Sequence, residues 1–332
     1  MQKEFMIRVV FFLWILVPFF CNANELRQRH AISYQGGHRF GDRMLVYAQA
    51  RYLSYITSVP FLYNHFIYSD QVTIEEDARA FEEEQGHYQR RILINSPSTF
   101  FDLISSIDNP NALSTLFVLD YFPSDISEWE SNPWMKLLLN IPWQEKGFHN
   151  YLQKTASPKI QIPNFRKEGV LNVADHVRTL SGADTADTSI AKLPLKHPNL
   201  TYHKNQIRRV YDLNQQKPMF VFIFSDTKNP QALIGDFRSS FENMNIEFGI
   251  QILNQADINY AVQDFYAMQK FDVLIATQSN FSMMASRIGS FDMILTPLSI
   301  RGSYPNAQID RVQLVSQKSD WFPYDLNLVI RE

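Results

Sequence analysis

The chain has 332 residues, 45% of them hydrophobic, which supplies two cores of ordinary domain size and excludes an intrinsically disordered protein. A formal net charge of −3 and a pI of about 6.3, without any long basic stripe, give no electrostatic basis for holding a phosphate backbone, so no nucleic-acid partner is expected. The only cysteine, Cys21, lies in an apolar leader, so the rest of the chain can form neither an intramolecular disulfide nor a thiolate zinc site.

Residues 1–23 have the parts of a secretory leader: Lys3 and Arg8, an apolar run from Val9 to Phe20, then Cys21 and Ala23 spaced like a cleavage site. The run is shorter than the ~20 residues of a membrane span. A signal peptide is favoured over a short membrane anchor, with membrane association through residues 9–21 as the other outcome. Arg27 and Arg29 balance the upstream charges, so the side of the membrane is not determined. The expected location is the secretory pathway or a membrane surface. Two sequons begin at Asn199 and Asn280.

Ile32 to Tyr34 read as a strand and Gln35 to Asp42 as a turn in which Gly36, Gly37 and Gly41 mark close backbone approach or positive φ. The spacing then predicts a helix from Arg43 to Thr57, with Leu45, Ala48, Tyr52 and Tyr55 on its inward face. Val59 and Phe61 to Tyr63 form the next strand. Thr73 to Arg91 is charged and reads as one solvated helix, with Thr73 and Glu76 as a capping box. Ile92 to Asn95, Leu116 to Leu119 and Met135 to Leu139 are apolar pieces of the same domain. The boundary is expected between Leu152 and Phe165, separating an N-terminal domain at 24–160 from a C-terminal one at 161–332.

In the second domain, Val170 to Val173 start a strand that ends in Ala174-Asp175-His176-Val177-Arg178, and polar Thr179 to Ser189 read as a loop. Phe220 to Phe224 is a buried strand by its continuous apolar run and ends in Ser225-Asp226-Thr227. Ile246 to Leu253 and Val273 to Thr277 repeat the pattern, so strands alternating with helices predict a parallel sheet with crossover helices. Asp264 to Lys270 reads as a short helix. A second helix begins at Asn280 or Ser282 and carries Met283, Met284, Ala285 and Ile288 on its apolar face. A polar turn and helix N-terminus at a strand's carboxyl end offer N–H groups to a phosphate, although any βα unit has such a turn.

Four polar turns thus stand at strand ends, and in order and content they resemble the fucosyltransferase group that includes the α-1,2, α-1,6 and protein O-fucosyltransferases. Gly36 to Ala48, G-G-H-R-F-G-D-R-M-L-V-Y-A, is similar to that group's G-G-x-x-G-N-x-x-F-x-Y-A. His176-Val177-Arg178-Thr179 stands where the group has H-x-R-R, Phe224 to Thr227 where it has F-S-D-D, and Gln278 to Ser286 where it has S-N-S-x-F-S-W-W-A. This chain departs from the pattern at Thr179 for the second arginine, Asp42 for asparagine, and Met283 and Met284 for two tryptophans.

The resemblance implies an α/β, GT-B-like fold of two Rossmann-like domains with parallel sheets and a cleft between them. It implies an inverting transfer from GDP-fucose to a glycan or glycoprotein acceptor. No cofactor beyond this donor substrate and no obligatory metal are implied, and the chain has no D-x-D triplet at a strand end of the second domain. Under the resemblance Arg178 meets the charge on the leaving diphosphate. The donor is held by Gly37, Phe40, Gly41 and Asp42 from the glycine-rich loop, by His176 and Asp226, by Asp264 on the guanine edge, and by Ser279, Asn280, Phe281 and Ser282 on the phosphates. A structural role at the strand end is equally open to His176, as is helix-start solvation to Asp264. Asp42, Asp184 and His38 lie in candidate loops, and none is identified as a base. A GT-B transferase using another nucleotide sugar, or a non-catalytic glycan- or nucleotide-binding relative, are the competing readings.

Overall fold

The computed structural model describes residues 25–36, 39–75, 79–120, 141–143, 145–179, 197–251, 260–298 and 309–314, which fall into two units divided between Ser157 and Pro158. The leader, Gly37, His38, Glu76, the piece Met135 to Leu139 and residues 180–196, with Asp184 among them, lie outside the described residues.

In the N-terminal unit β1 (Ala31–Tyr34) is followed by α1 (Phe40–Thr57), β2 (Leu62–Tyr63), β3 (Arg79–Ala80), the single-turn α2 (Phe81–Glu84), β4 (Arg90–Ile94), α3 (Pro97–Ser106), β5 (Thr115–Leu119) and α4 (Lys146–Thr155). The strands β1, β5 and β4 form a parallel sheet in that order, and β2 pairs with β3. The helix after β1 starts at Phe40 rather than Arg43, because the Asp42 carboxylate accepts from the Arg39 N–H at 3.4 Å and closes the first turn. Its inward stripe is Met44, Tyr47, Ala48 and Arg51, while Leu45 is half-buried and Tyr55 is 45% exposed. Ala48 and Tyr52 are buried as expected, and the burial extends to Arg51, which was missed because an arginine reads as surface until its partners are known.

Thr73 to Arg91 is not one helix. It holds short 3-10 turns, β3, α2 and the start of β4. Thr73 does not act as a helix cap: its hydroxyl donates to the Lys154 carbonyl at 3.1 Å and accepts from the Ser157 N–H at 2.9 Å. Glu82 to Glu84 crowd like charges into one turn with only Phe81 buried, too little apolar surface to sustain a longer helix. Two helices carry capping signals that the sequence reading passed over. Ser96 accepts from the Thr99 N–H at the start of α3, and Glu145 accepts from the N–H groups of Gly147 and Phe148 at the start of α4.

The C-terminal unit runs β6 (Leu171–Val177), α5 (Leu200–Leu213), β7 (Met219–Ser225), α6 (Pro230–Ser240), β8 (Ile246–Ile250), α7 (Tyr260–Met268), β9 (Val273–Ile275), α8 (Asn280–Ile288), β10 (Met293–Leu298) and β11 (Ile309–Leu314). Its six-stranded sheet has the order β11-β10-β9-β6-β7-β8, parallel except for β11 against β10. Both faces of β7 are covered, which explains its unbroken apolar run. Val221 and Ile223 pack with Phe237 and Phe248 on one face; Phe222 and Phe224 meet Phe271 on the other. Gly249 lets β8 lie against this layer, since a Cβ there would stand 2.8 Å from the Phe222 ring. At the amino edge, Asp272 accepts from Arg166 Nη2 at 2.6 Å and from the Asn172 N–H at 2.9 Å, tying the loop before β9 to β6.

Candidate functional site

Strand order sets the site. The chain begins the sheet at β6, adds β7 and β8 on one side, then returns across to place β9 and β10 on the other. The crossovers therefore diverge between the carboxyl ends of β6 and β9, the switch point at which doubly wound sheets bind ligands.

Arg178 follows β6 directly, and Ser279 precedes α8 after β9. The Arg178 guanidinium donates from Nη1 to the Ser279 hydroxyl at 2.9 Å. Ser279 occupies the N-cap position of α8, yet its side chain caps no N–H of the helix; the hydroxyl accepts from Arg178 instead. A cation is thereby fixed beside a helix start, where the first N–H groups have no intrahelical acceptor and the dipole is positive. Ser282 shapes the turn: its hydroxyl donates to the Thr277 carbonyl at 3.1 Å and accepts from the Thr277 N–H at 3.3 Å. Only the backbone N–H of Ser282, like those of Asn280 and Phe281, is then placed to meet an anion.

His176 is buried on β6, with Nδ1 3.4 Å from the Thr277 hydroxyl and its ring 5.5 Å from that of Phe281. Burial, then the charge of Arg178, then His203 and His197 push its pKa down to about 3. The imidazole is accordingly neutral at working pH and serves as a hydrogen-bonding group, leaving the positive charge to Arg178. Phe281 also meets Phe265 edge-on at 5.4 Å. That contact brings α7 to the site, and with it Asp264, the residue before Phe265.

Asp264 is 7% exposed and its Oδ1 has no hydrogen-bond partner. Burial raises its pKa to about 8, so the carboxyl is protonated at neutral pH. It is therefore not a solvated residue at a helix start. Asp226, after β7, accepts at Oδ1 from the Thr179 N–H at 2.6 Å and from the Thr179 hydroxyl at 2.9 Å. Thr179 thus binds the adjacent loop from the position where the resembled motif has its second arginine.

Among the predicted residues, His176, Arg178, Ser279, Phe281 and Ser282 come together in direct contacts, and Asp226 is joined to them through Thr179. Phe40, Gly41 and Asp42 belong to the N-terminal unit, where they form the first turn of α1; the Phe40 ring is buried against Phe66 and Tyr68. Gly36, just before the undescribed Gly37, has φ of 79°, the left-handed conformation that glycine adopts without strain. Sequence reasoning missed the buried pair beneath the site, Asp175 Oδ1 to His203 Nδ1 at 2.7 Å. An aspartate in the middle of a fully buried strand was the available signal for one partner, whereas His203 sits unmarked on α5. Among the described residues, no three His, Cys, Asp or Glu side chains are grouped to hold a metal ion, and no helix is long and apolar enough to cross a membrane.

No protein-family model matches this chain, and no curated protein matches it by sequence. Solved structures do match. A mutant of FUT1 from Arabidopsis thaliana in complex with GDP aligns over 80% of this chain and 70% of its own, with a TM-score of 0.53 and 11% identity. The fucosyltransferase NodZ from Bradyrhizobium aligns over 86% of this chain and 99% of its own at a TM-score of 0.46 and 15% identity. A family 9 glycosyl transferase from Veillonella parvula aligns over 80% of each chain at 0.36 and 10%. The likeness is one of fold and rests on FUT1: this chain has an α/β architecture with parallel sheets that resembles the GT-B fucosyltransferase fold.

Proposed function

We propose that this protein is a glycosyltransferase that moves fucose from GDP-fucose to a glycan or protein acceptor, with inversion and without an obligatory metal. The observation that carries the reading is the Arg178–Ser279 hydrogen bond at the switch point. It places a permanently charged planar fork, suited to two phosphate oxygens, beside the N–H groups of α8. FUT1, whose fold this chain resembles, binds GDP.

In the proposed reaction an acceptor oxygen forms a bond to the sugar's anomeric carbon as the bond from that carbon to the diphosphate breaks. The electron pair leaves on the β-phosphate, where Arg178 and the α8 N–H groups meet the developing charge; the acceptor proton leaves to solvent or to a base. Neutral His176 donates a hydrogen bond to the same diphosphate or bonds the ribose hydroxyls. Asp264 accepts from the adjacent N–H groups of guanine, and the leader at 1–23 directs the chain to the secretory pathway or a membrane.

Thermal unfolding with a nucleotide panel tests the donor. GDP and GDP-fucose are expected to raise the melting temperature, by the equivalent of ~2.7 kcal/mol at a hundred times Kd, and UDP or ADP to leave it unchanged. Stabilisation by UDP alone would remove the fucosyl assignment. Thr179 in place of an arginine, with its hydroxyl on Asp226, favours one second reading: a GDP-binding relative without turnover, which GDP would stabilise but which would release no GDP from GDP-fucose.

A further inference from the structure

We propose that the N-terminal unit carries a second ligand site, for a carboxylated saccharide, at the amino edge of β1 and β2. The proposal does not depend on the donor reading, because its residues all belong to the other unit.

A pocket of about 550 Å³ opens there, lined by Ser54, Tyr55 and Ser58 from the end of α1, by Phe61 before β2, by Arg79 and by Tyr151 of α4. It lies at the opposite end of α1 from Phe40 to Asp42. Behind its wall stands Arg51, only 2% exposed. The guanidinium donates solely to neutral oxygens: Nε to the Tyr47 hydroxyl at 3.1 Å, Nη1 to the Tyr151 hydroxyl at 3.0 Å and Nη2 to the Ile74 carbonyl at 3.1 Å. Its carbon centre lies 4.0 Å from the Phe61 ring centroid. Among the described residues no carboxylate pairs with it. A buried charge is ordinarily paired, and this one touches two residues that line the pocket, Phe61 and Tyr151.

The two tyrosines that receive the guanidinium differ. The Tyr47 hydroxyl donates to the Thr155 carbonyl at 2.9 Å. Tyr151 accepts from Arg51 and has no described acceptor for its O–H, so this donor, polarised by a cation behind it, remains for a ligand at the pocket wall. Arg79 stands on the rim, its side chain 54% exposed and ion-paired with Glu84 at 2.8 Å. With Arg79 paired to Glu84, Arg51 is the cation at this pocket that no described carboxylate meets.

The rest of the lining sets polar side chains beside aromatic rings, a combination that suits a sugar's hydroxyls and C–H faces. The Tyr55 ring is 45% exposed and lies at 33° to Tyr151, 5.5 Å away, offering a face to sugar C–H groups. The Ser58 hydroxyl and the Gln28 amide stand at the same pocket for sugar hydroxyls, and the Ser54 hydroxyl, which donates to the Val59 carbonyl at 2.7 Å, can accept there. If Arg51 served only to pin α1 to α4, its substitution would cost stability and the pocket would bind nothing.

Ligand-observed NMR and titration calorimetry on the whole protein decide between the two, using methyl β-glucuronide, methyl β-glucoside and acetate. The glucuronide is expected to bind at least about tenfold more tightly than the glucoside, with acetate bound more weakly than either. Tyr55→Ala and Arg79→Gln, both at exposed positions, should each weaken the glucuronide severalfold without lowering the melting temperature, and Tyr151→Phe should erase its advantage over the glucoside. The GDP-induced melting shift, read on the same samples, should be unchanged in all three variants, which separates this site from the donor site. Absence of glucuronide binding, binding that survives both rim substitutions, or acetate bound as tightly as the glucuronide would each overturn the proposal.

Discussion

At Arg178 the choice lies between an anchor that merely holds a donor and a group that meets charge as it develops. An anchor changed to alanine raises KM and spares turnover; a group that meets leaving-group charge lowers turnover itself. Arg178→Ala is expected to cost about a hundred- to a thousandfold in kcat, the ~3–4 kcal/mol typical of a charge-stabilising donor in a closed site. Arg178→Lys should recover part of it, because a point charge does not reproduce the fork. Turnover and melting temperature measured on the same preparation test this, and a folded Arg178→Ala with full turnover at saturating donor would take Arg178 out of the mechanism. Asp264 gives a second prediction at this scale. Its folded pKa of about 8 is raised, so the folded state holds a proton that the unfolded chain has lost above pH ~4. Its contribution to stability is therefore fully present below that pH and is lost as pH rises through about 8. Asp264→Asn should raise the melting temperature at pH 8.5, by ~3 °C or more, and change it little at pH 4. Because guanine N–H groups require the carboxylate, GDP binding to the native protein should tighten between pH 6 and 8.5 and release a proton. GDP affinity flat across that range would remove Asp264 from the base site.

Among the elements, the β9–α8 turn is held by one small side chain. Ser282 is fully buried and links α8 back to Thr277, while Ser279, also buried, accepts from Arg178. Ser282→Ala should cost ~1–3 kcal/mol, since it strands the buried Thr277 N–H, and should diminish the GDP-induced melting shift as the α8 start loosens. Denaturant unfolding with and without GDP measures both, and an unaltered GDP shift would show that the turn holds its shape without Ser282. Legibility differed between elements for identifiable reasons. β7 was readable because a strand buried on both faces leaves a continuous apolar run. Thr73 to Arg91 was misread because its glutamates look like a solvated helix face, whereas Thr73 is spent on Lys154 and Ser157, eighty-one and eighty-four residues away. The inward face of α1 was read in part, at Ala48 and Tyr52, and Arg51 was missed because an arginine reads as surface; Tyr47 lies one turn away, but Tyr151, the other hydroxyl that receives it, is a hundred residues distant.

For the molecule as a whole, the proposed division of labour has the diphosphate neutralised by Arg178 and backbone N–H groups, so activity should survive EDTA. Turnover lost in chelator and restored by magnesium or manganese would show that a metal carries that charge instead. The sequence by itself determined the α/β class, the four parallel strands β6 to β9 and the positions of the polar turns, because apolar periodicity, caps and turn residues act over a few neighbouring residues. Only the tertiary structure decided which turns meet. Arg178 reaches Ser279 across 101 residues because β9 returns to the far side of β6, a choice of strand order that no local pattern encodes. The same holds for protonation: His176 is neutral and Asp264 protonated because of what the fold packs around them, since burial in a low-dielectric interior penalises charge in proportion to surroundings that the residue's own neighbours in sequence do not specify.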